Sequence, residues 1–116
     1  MLIPAATTRT DTIADCHAGI GSLLCRTILR EGDAPLAIRF VHDDLIEPGA
    51  SIGEHTHTDD EELYLVISGH GTMIMDGVRT PIGPGDASLV TPGHSHGLIN
   101  GPDEPMRLIV VCVKPA

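Results

Sequence analysis

The chain has 116 residues, which is room for one domain and no more. Hydrophobic residues make up 41% of it and charged residues 20%, a composition typical of globular proteins rather than disordered ones. A formal net charge of −9 and an aromatic content of 2% argue against nucleic acid and acidic membranes as partners, because polyanions would be repelled and bases would find few rings to stack on.

The first dozen residues lack the basic region and long apolar run that mark a signal peptide. No window approaches the roughly 18 uninterrupted apolar residues of a membrane-spanning helix, so the expected location is the cytoplasm. The three cysteines, Cys16, Cys25 and Cys112, are odd in number and have no C-x-x-C spacing, and they therefore predict no disulfide framework.

Short apolar runs alternate with turn signals along the whole chain, which contains 13 glycines and 9 prolines. The sequence shows no convincing long amphipathic helix, and the best candidate, around residues 11–18, has a weak pattern. The runs predicted to be strands are, in chain order, GSLLCRTIL, LAIRFV, LYLVIS, TMIM, ASLV, HGLIN and MRLIVVCV. The Asp76–Gly77 pair between strand-like flanks predicts a tight hairpin. Short strands at this spacing predict an all-β sandwich or barrel.

Two of the predicted strands, ELYLVI and RLIVVCV, are apolar on both faces rather than alternating. A strand of this kind must be covered on both faces. The barrel interior covers one face, and the other needs either residues 1–30 of the same chain or a second subunit. We predict a single domain over residues 1–116 with its core barrel at about 36–113, residues 1–35 packing on the barrel or on a partner, and a homodimer.

Histidines and carboxylates stand directly before the first of these two strands. Side chains two residues apart on a strand point to the same side, so His55 and His57 present two imidazoles that can converge on one ion. A carboxylate at the head of a strand that should be buried is costly unless it is paired or coordinating. Glu61 and Glu62 could each meet that need, and strand parity alone does not choose between them.

A second histidine pair, His94 and His96, has the same spacing and follows a Pro-Gly turn. With it, the chain resembles the cupin superfamily of small double-stranded β-helix barrels, a jelly-roll architecture, over about residues 36–113. The family's first motif, G-x5-H-x-H-x4-E-x6-G, is filled by Gly49, His55, His57, Glu62 and Gly69. The second, G-x5-P-x-G-x2-H-x3-N, is filled by Gly85, Gly93, His96 and Asn100, with Thr91 where proline is usual.

The resemblance implies that one divalent metal ion is held by His55, His57, Glu62 and His96. It places Glu62 inside the barrel and leaves three neighbours as solvated turn residues, namely Asp59, Asp60 and Glu61. Imidazoles and a carboxylate without a thiolate disfavour soft ions such as Cu(I), whereas Mn²⁺, Fe²⁺, Zn²⁺, Ni²⁺ and Co²⁺ all fit. An octahedral ion with four protein ligands keeps two positions for water, substrate or O₂.

The cupins that this chain resembles include oxalate-binding and decarboxylase-like proteins, dioxygenases, isomerases and cyclases. We therefore predict a metal-dependent enzyme that binds an oxygen-bearing small organic substrate, such as a carboxylate, a sugar or a polyketide. The candidates for proton transfer are Tyr64, which shares the parity of Glu62, and His94. If the protein is an enzyme, we expect a pocket of roughly 300 Å³ or more that opens onto the metal. The alternatives are a non-catalytic module that binds or senses a small ligand, and a structural dimer with a vestigial site.

The remaining polar residues carry less information. Arg39 and Arg107 lie within strand-like runs, where they either grip a substrate carboxylate or belong to a charged outer face. His70 is expected in a solvated turn. His17 and His42 show no readable pattern.

Overall fold

The structure, a computed structural model, describes residues 1–115. Within that range the helices are two 3₁₀ turns, Ala5–Thr7 and Cys16–Ala18, and neither is long or apolar enough to cross a membrane. The strands are β1 (Arg9–Ala14), β2 (Ser22–Leu29), β3 (Ile38–Ile46), β4 (Ser51–Thr56), β5 (Glu61–Ser68), β6 (Gly71–Met75), β7 (Val78–Ile82), β8 (Ala87–Val90), β9 (Ser95–Asn100) and β10 (Met106–Val113). All seven apolar runs predicted to be strands form strands.

The strands are arranged in two sheets. One has six strands in the order β1-β2-β3-β10-β5-β8, and the other has four in the order β4-β9-β6-β7. Every described pair of neighbouring strands is antiparallel. The prediction of an all-β jelly-roll barrel is confirmed.

The core lies between the two sheets and is largely aliphatic. Along β10 the buried side chains alternate with more exposed ones, the buried set being Met106, Leu108, Val110 and Cys112. Met106, Leu108 and Val110 belong to one cluster with Ile46 of β3 and Leu98 of β9. Burying one such side chain stabilises the fold by roughly 1.5–3 kcal/mol. Because Leu98 lies two residues from His96, this packing also fixes the strand that carries that histidine.

Two turns show why glycine is required where the sequence places it. Asp76 and Gly77 join β6 to β7 with φ angles of 47° and 79°, the left-handed pair of a type I′ turn, so the hairpin prediction is confirmed. Gly69 ends the first motif at φ 92°, and a Cβ there would lie 2.8 Å from Cα of Met106. A side chain at this position would be strained and would collide with backbone.

Within residues 1–30, the strands β1 and β2 extend the six-stranded sheet. β1 pairs with β2 from Arg9 opposite Thr27 to Ala14 opposite Ser22, and β2 pairs with β3. The weak helix candidate over residues 11–18 forms no α-helix, because this stretch contains the end of β1 and one 3₁₀ turn. In a strand the alternate side chains face opposite ways, and the pairing with β2 outweighs the weak helical pattern.

Apolar side chains remain on the outer face of the six-stranded sheet. The most exposed of them on β2, β3, β5 and β8 are Leu24 at 41%, Leu45 at 40%, Ile67 at 41% and Leu89 at 50%. A second subunit would cover them, and the homodimer stays a prediction.

Candidate metal centre

The histidines meet because β4 and β9 are neighbours in the four-stranded sheet. Their register sets His55 directly opposite His96, after a bulge between Ile52 and His55 on β4. His57 follows β4 and is tied to the loop before β9, since its amide donates to the carbonyl of His94 at 3.1 Å and its carbonyl accepts from Gly93 at 2.8 Å. Bulges of this kind redirect side chains, and here the three rings face one point.

Glu62, on β5 of the other sheet, completes the cluster. Nε2 of His96 lies 3.1 Å from Nε2 of His55, 3.1 Å from Nε2 of His57 and 3.2 Å from Oε1 of Glu62. One ligand atom from each of the four residues lies within 4.8 Å of every other. The structure therefore brings together all four residues that the resemblance implies as ligands.

The spacing of these atoms suits a shared cation. A neutral imidazole Nε2 carries either one proton or one lone pair, so the Nε2 of His96 cannot form good hydrogen bonds to two other nitrogens at once. Metal–nitrogen bonds of about 2.0–2.1 Å put neighbouring ligand atoms roughly 2.8–3.0 Å apart in octahedral geometry and roughly 3.3–3.4 Å apart in tetrahedral geometry. The observed separations of 3.1 and 3.2 Å lie between these values, and the 3.6 Å from Nε2 of His57 to Oε1 of Glu62 is slightly larger.

Two of the three rings are oriented through their other nitrogen. Nδ1 of His55 donates to the carbonyl of Gly53 at 2.8 Å, and Nδ1 of His57 donates to Oδ1 of Asp60 at 2.6 Å. With the proton on Nδ1, the lone pair of Nε2 is free for a metal. The third ring is oriented by packing: His96 is fully buried and stacks on Tyr64 with centroids 4.5 Å apart, and its Nδ1 has no hydrogen-bond partner among the described residues.

The expectation that Asp60 is a solvated turn residue is wrong, because Asp60 is only 7% exposed. Besides the bond from His57, it accepts hydrogen bonds from Nη1 of Arg39 and from Sγ of Cys112. Burial alone would raise the pKa of Asp60, but these three donors outweigh it and lower the pKa. Asp60 is therefore an ionised carboxylate that orients His57, and Arg39 neutralises it.

His17 also contacts the cluster, although no sequence pattern predicts this contact. Its ring stacks on His55 with centroids 3.6 Å apart and planes inclined by 11°. It lies in the Cys16–Ala18 turn, which packs against β4. The contact joins residues from separate parts of the chain, so no local spacing could have predicted it.

Burial sets the ionisation of the site. Together with the neighbouring rings of His17, His96 and His57, it lowers the pKa of His55 to about 4, so this imidazole is neutral and able to ligate at pH 7. Burial alone would raise the pKa of Glu62, but the hydrogen bond from His96 and the nearby histidines lower it. Burial, with the adjacent Glu62 carboxylate, raises the pKa of Tyr64 well above its usual value, so the phenol stays protonated.

The family model described as "Cupin domain" matches residues 44–112, more than half of the chain. The chain is a cupin. The matched range contains both motifs and all four clustered residues, so the family expected from the sequence is confirmed.

Other comparisons agree on the fold of this cupin. It is 23% identical over 113 residues to the oxalate-binding protein of Thermotoga maritima, covering 97% of this chain and 93% of the relative. A solved structure from that organism, described as a predicted oxalate decarboxylase, has a TM-score of 0.92 at 23% identity and covers 98% of this chain and 99% of its own. The structure of the polyketide cyclase RemF of Streptomyces resistomycificus has a TM-score of 0.77 at 20% identity. The match covers 97% of this chain and 78% of the cyclase.

A cavity of about 200 Å³ lies beside Glu62 in the cupin barrel. Tyr64 and His17 line it, and most of the remaining lining is apolar or thiol side chains, including Ile13, Cys16, Leu23, Phe40, Ile52 and Val110. None of the lining residues, all within 1–115, is lysine or arginine. The volume is below the roughly 300 Å³ expected for an enzyme pocket, so a ligand held here is small.

The other polar residues singled out in the sequence lie outside this cavity. The His94 side chain is 56% exposed, and its Nδ1 is hydrogen-bonded to Asp76 at 2.7 Å. Arg107 forms two hydrogen bonds to Asp43, at 3.0 and 2.9 Å, and both belong to the outer face. His70 is exposed, as expected for a turn residue. The proton-transfer roles of Tyr64 and His94 stay predictions.

Replacing Asp60 with asparagine should weaken metal binding by this cupin. Asparagine keeps the shape but loses the charge that holds His57, and loss of such an outer partner costs about 10–100-fold in metal affinity. Calorimetric titration with Mn²⁺ would measure the change. The matched control is Asp59→Asn, which removes the same charge from an exposed neighbour. Equal affinities for the two variants would contradict the role of Asp60.

Replacing Asp44 with asparagine should stabilise the metal-free cupin above pH 6. Asp44 is 5% exposed in the cavity, and burial, assisted by the charges of Asp43 and Glu62, raises its pKa to about 6. The folded state keeps this proton up to about pH 6 while the unfolded chain releases it near pH 3.8, so wild-type stability falls as the pH rises through this window. The expected gain for Asp44→Asn at pH 8 is on the order of 3 kcal/mol.

Urea unfolding of both proteins at pH 4 and pH 8, with a chelator present, would measure this difference. The gain should be small at pH 4, where the Asp44 carboxyl is still protonated in the folded state. A difference between the two proteins that does not change with pH would show that the buried charge is not its cause.

Proposed function

We propose that this cupin binds one divalent metal ion through His55, His57, Glu62 and His96 and acts as a metal-dependent enzyme on a small oxygen-bearing organic substrate. The observation that carries the proposal is the convergence of three imidazoles and the Glu62 carboxylate, whose ligand atoms lie within 4.8 Å of one another beside a cavity that Glu62 lines. Such an ion supplies Lewis acidity toward a carbonyl or enolate, or a binding site for O₂.

The charges around the cavity favour a singly charged substrate. A divalent ion with three neutral imidazoles and the Glu62 carboxylate has a net charge near +1, and the cavity adds Asp44 without any lysine or arginine. A dianion would find too little positive charge there, whereas the single charge of a monoanion that chelates through two oxygens balances the net charge of the metal centre. The apolar lining of the cavity suits a substrate whose remaining part is a short hydrocarbon group. A 2-oxo acid or a 1,3-dicarbonyl compound has this chemistry.

The protein groups have separate tasks in this proposal. Glu62 and the histidines hold the ion, and Asp60 and Gly53 orient two of the rings. Tyr64 is protonated and lines the cavity, so it can donate a hydrogen bond or a proton to the substrate. It cannot serve as a base at pH 7, because its raised pKa leaves almost no phenolate at that pH. His94 would need a substrate that reaches the surface, because it does not line the cavity.

Thermal unfolding of the Mn²⁺-loaded protein in the presence of small acids tests this assignment. We expect pyruvate and 4-methyl-2-oxopentanoate to raise the unfolding temperature more than oxalate or acetate does, because they are chelating monoanions. A ligand present at 100 times its Kd stabilises the folded protein by about 2.7 kcal/mol. The effect should vanish in the metal-free protein and in His96→Ala. Tighter binding of oxalate would contradict the charge argument and favour a dicarboxylate, the kind of ligand in the name of the Thermotoga maritima relative.

Turnover separates the enzyme from a binding module. Chromatography of the tightest-binding acids after incubation with the Mn²⁺-, Fe²⁺- and Co²⁺-loaded protein, with and without O₂, should reveal a product in at least one case. Saturable binding with unchanged substrate under all these conditions would favour the non-catalytic module.

A further inference from the structure

A second group of metal-binding side chains lies on the inner face of the other sheet. Cys25 on β2 is set opposite Asp44 on β3 by the strand register, and His42 lies two residues before Asp44 on the same face. One ligand atom from each of these three residues lies within 4.8 Å of the others. The pair His42 and Asp44 repeats, in another strand, the spacing that brings His55 and His57 together.

Asp44 and the Cys25 thiol share a hydrogen bond, but one oxygen of the Asp44 carboxylate lacks the partner that a buried acid normally has. The residue is 5% exposed, it lines the cavity, and its Oδ1 has no hydrogen-bond partner within residues 1–115. An unsatisfied buried polar group costs about 1–3 kcal/mol, and a charged one costs more. Among residues 1–115, no arginine or lysine lines this cavity to neutralise the Asp44 carboxylate.

Cys25 and His42 lie close enough to Asp44 to bind the same ion. Cys25 is 8% exposed and is a free thiol. The His42 ring is half-buried and stacks on Phe40, with centroids 4.4 Å apart, which limits the directions in which its nitrogens can point. All three residues line the cavity.

We propose that Cys25, His42 and Asp44 form a second cation site in this protein, one that contains a thiolate and takes a borderline divalent ion such as Zn²⁺. Sulfur, imidazole nitrogen and carboxylate oxygen are the donors that Zn²⁺ uses in proteins, and three of them leave one tetrahedral position for water or another ligand. Thiolate and carboxylate together neutralise the charge of the ion. Loading releases the thiol proton to solvent, because a coordinating thiol is deprotonated.

The two sites should prefer different metal ions. The histidine–glutamate cluster contains no sulfur, whereas the second site does, and thiolates favour Zn²⁺ over harder ions such as Mn²⁺. Glu62 and the three residues of the second site line the same cavity, so an ion at the second site would be part of the wall that a substrate meets.

Co²⁺ titration of the metal-free protein tests the proposal, because a Co²⁺–thiolate bond gives a near-ultraviolet charge-transfer band that nitrogen and oxygen ligands do not give. We expect the wild type to bind two Co²⁺ per chain and to develop this band. His55→Ala/His96→Ala should bind one Co²⁺ and keep the band. This arm also separates the two proposals, since a failure of the first site leaves the band in place.

Matched variants locate the sulfur. Cys25→Ser should abolish the band, while Cys16→Ser, which changes another thiol of the same cavity, should keep it. Asp44→Asn, a nearly isosteric change, should weaken Co²⁺ at this site by at least the roughly 10–100-fold that loss of an outer partner costs. Circular dichroism would verify the fold of each variant. Absence of the band in the wild type, or a band that survives Cys25→Ser, would overturn the proposal and leave the three residues as an internal polar cluster.

Discussion

Replacing His96 with alanine is expected to abolish stoichiometric Mn²⁺ binding. Nε2 of His96 lies 3.1–3.2 Å from the ligand atoms of His55, His57 and Glu62, so an ion bound by those three residues would lie against this nitrogen. Its loss should cost more than the roughly 10–100-fold in affinity that removing an outer partner costs. Electron paramagnetic resonance of free Mn²⁺ during titration measures the bound fraction directly, and Mn²⁺ has little preference for the thiolate of the second site.

The control for this experiment is already present in the chain. His94 lies two residues before His96, and its side chain is 56% exposed and hydrogen-bonded to Asp76 rather than to the cluster. His94→Ala should therefore keep one Mn²⁺ per chain at wild-type affinity. Retention of Mn²⁺ by a folded His96→Ala variant would falsify the ligand assignment, and with it the proposed function.

Replacing Gly53 with alanine is expected to produce the second large effect. A Cβ at this position would lie 1.9 Å from the carbonyl oxygen of His17 and 3.0 Å from the amide nitrogen of Gly19. Both are backbone atoms, so no rotamer change relieves the collision, and the Cys16–Ala18 turn must move away from β4. Overpacking of this kind costs about 1–3 kcal/mol and occasionally more, and we expect the upper end of that range.

Metal binding should weaken in the same variant, because the Gly53 carbonyl accepts the hydrogen bond from His55 and the displaced turn carries the His17 ring that stacks on it. Urea unfolding in the presence of a chelator measures the stability, and Mn²⁺ titration measures the affinity. Gly85→Ala is the control, since Gly85 has a φ of 87° but open space around its Cα. It should lose some stability through backbone strain and no metal affinity. Equal metal affinities for the two variants would contradict the role of the turn.

Local spacing was enough to predict seven of the ten strands in residues 1–115, and the resemblance to the family motifs supplied the four clustered residues. Apolar runs between glycine and proline turns predict strands because side-chain direction alternates along them, and Asp76–Gly77 predicts its turn because few residues tolerate two positive φ angles. Strand parity also placed His55 and His57 on one side. It did not decide between Glu61 and Glu62, and the choice came from the family motif.

Only the tertiary structure decided which distant groups support the site. Asp60 reads as a solvated turn residue until Arg39 and Cys112, from two other strands, are seen to bury and pair it. The stacking of His17 on His55, and the meeting of Cys25 with Asp44, likewise join residues from separate strands and turns. The physical reason is that periodicity reports the direction of a side chain within its own strand. Strand register and sheet packing, which depend on the whole core, choose what that side chain meets.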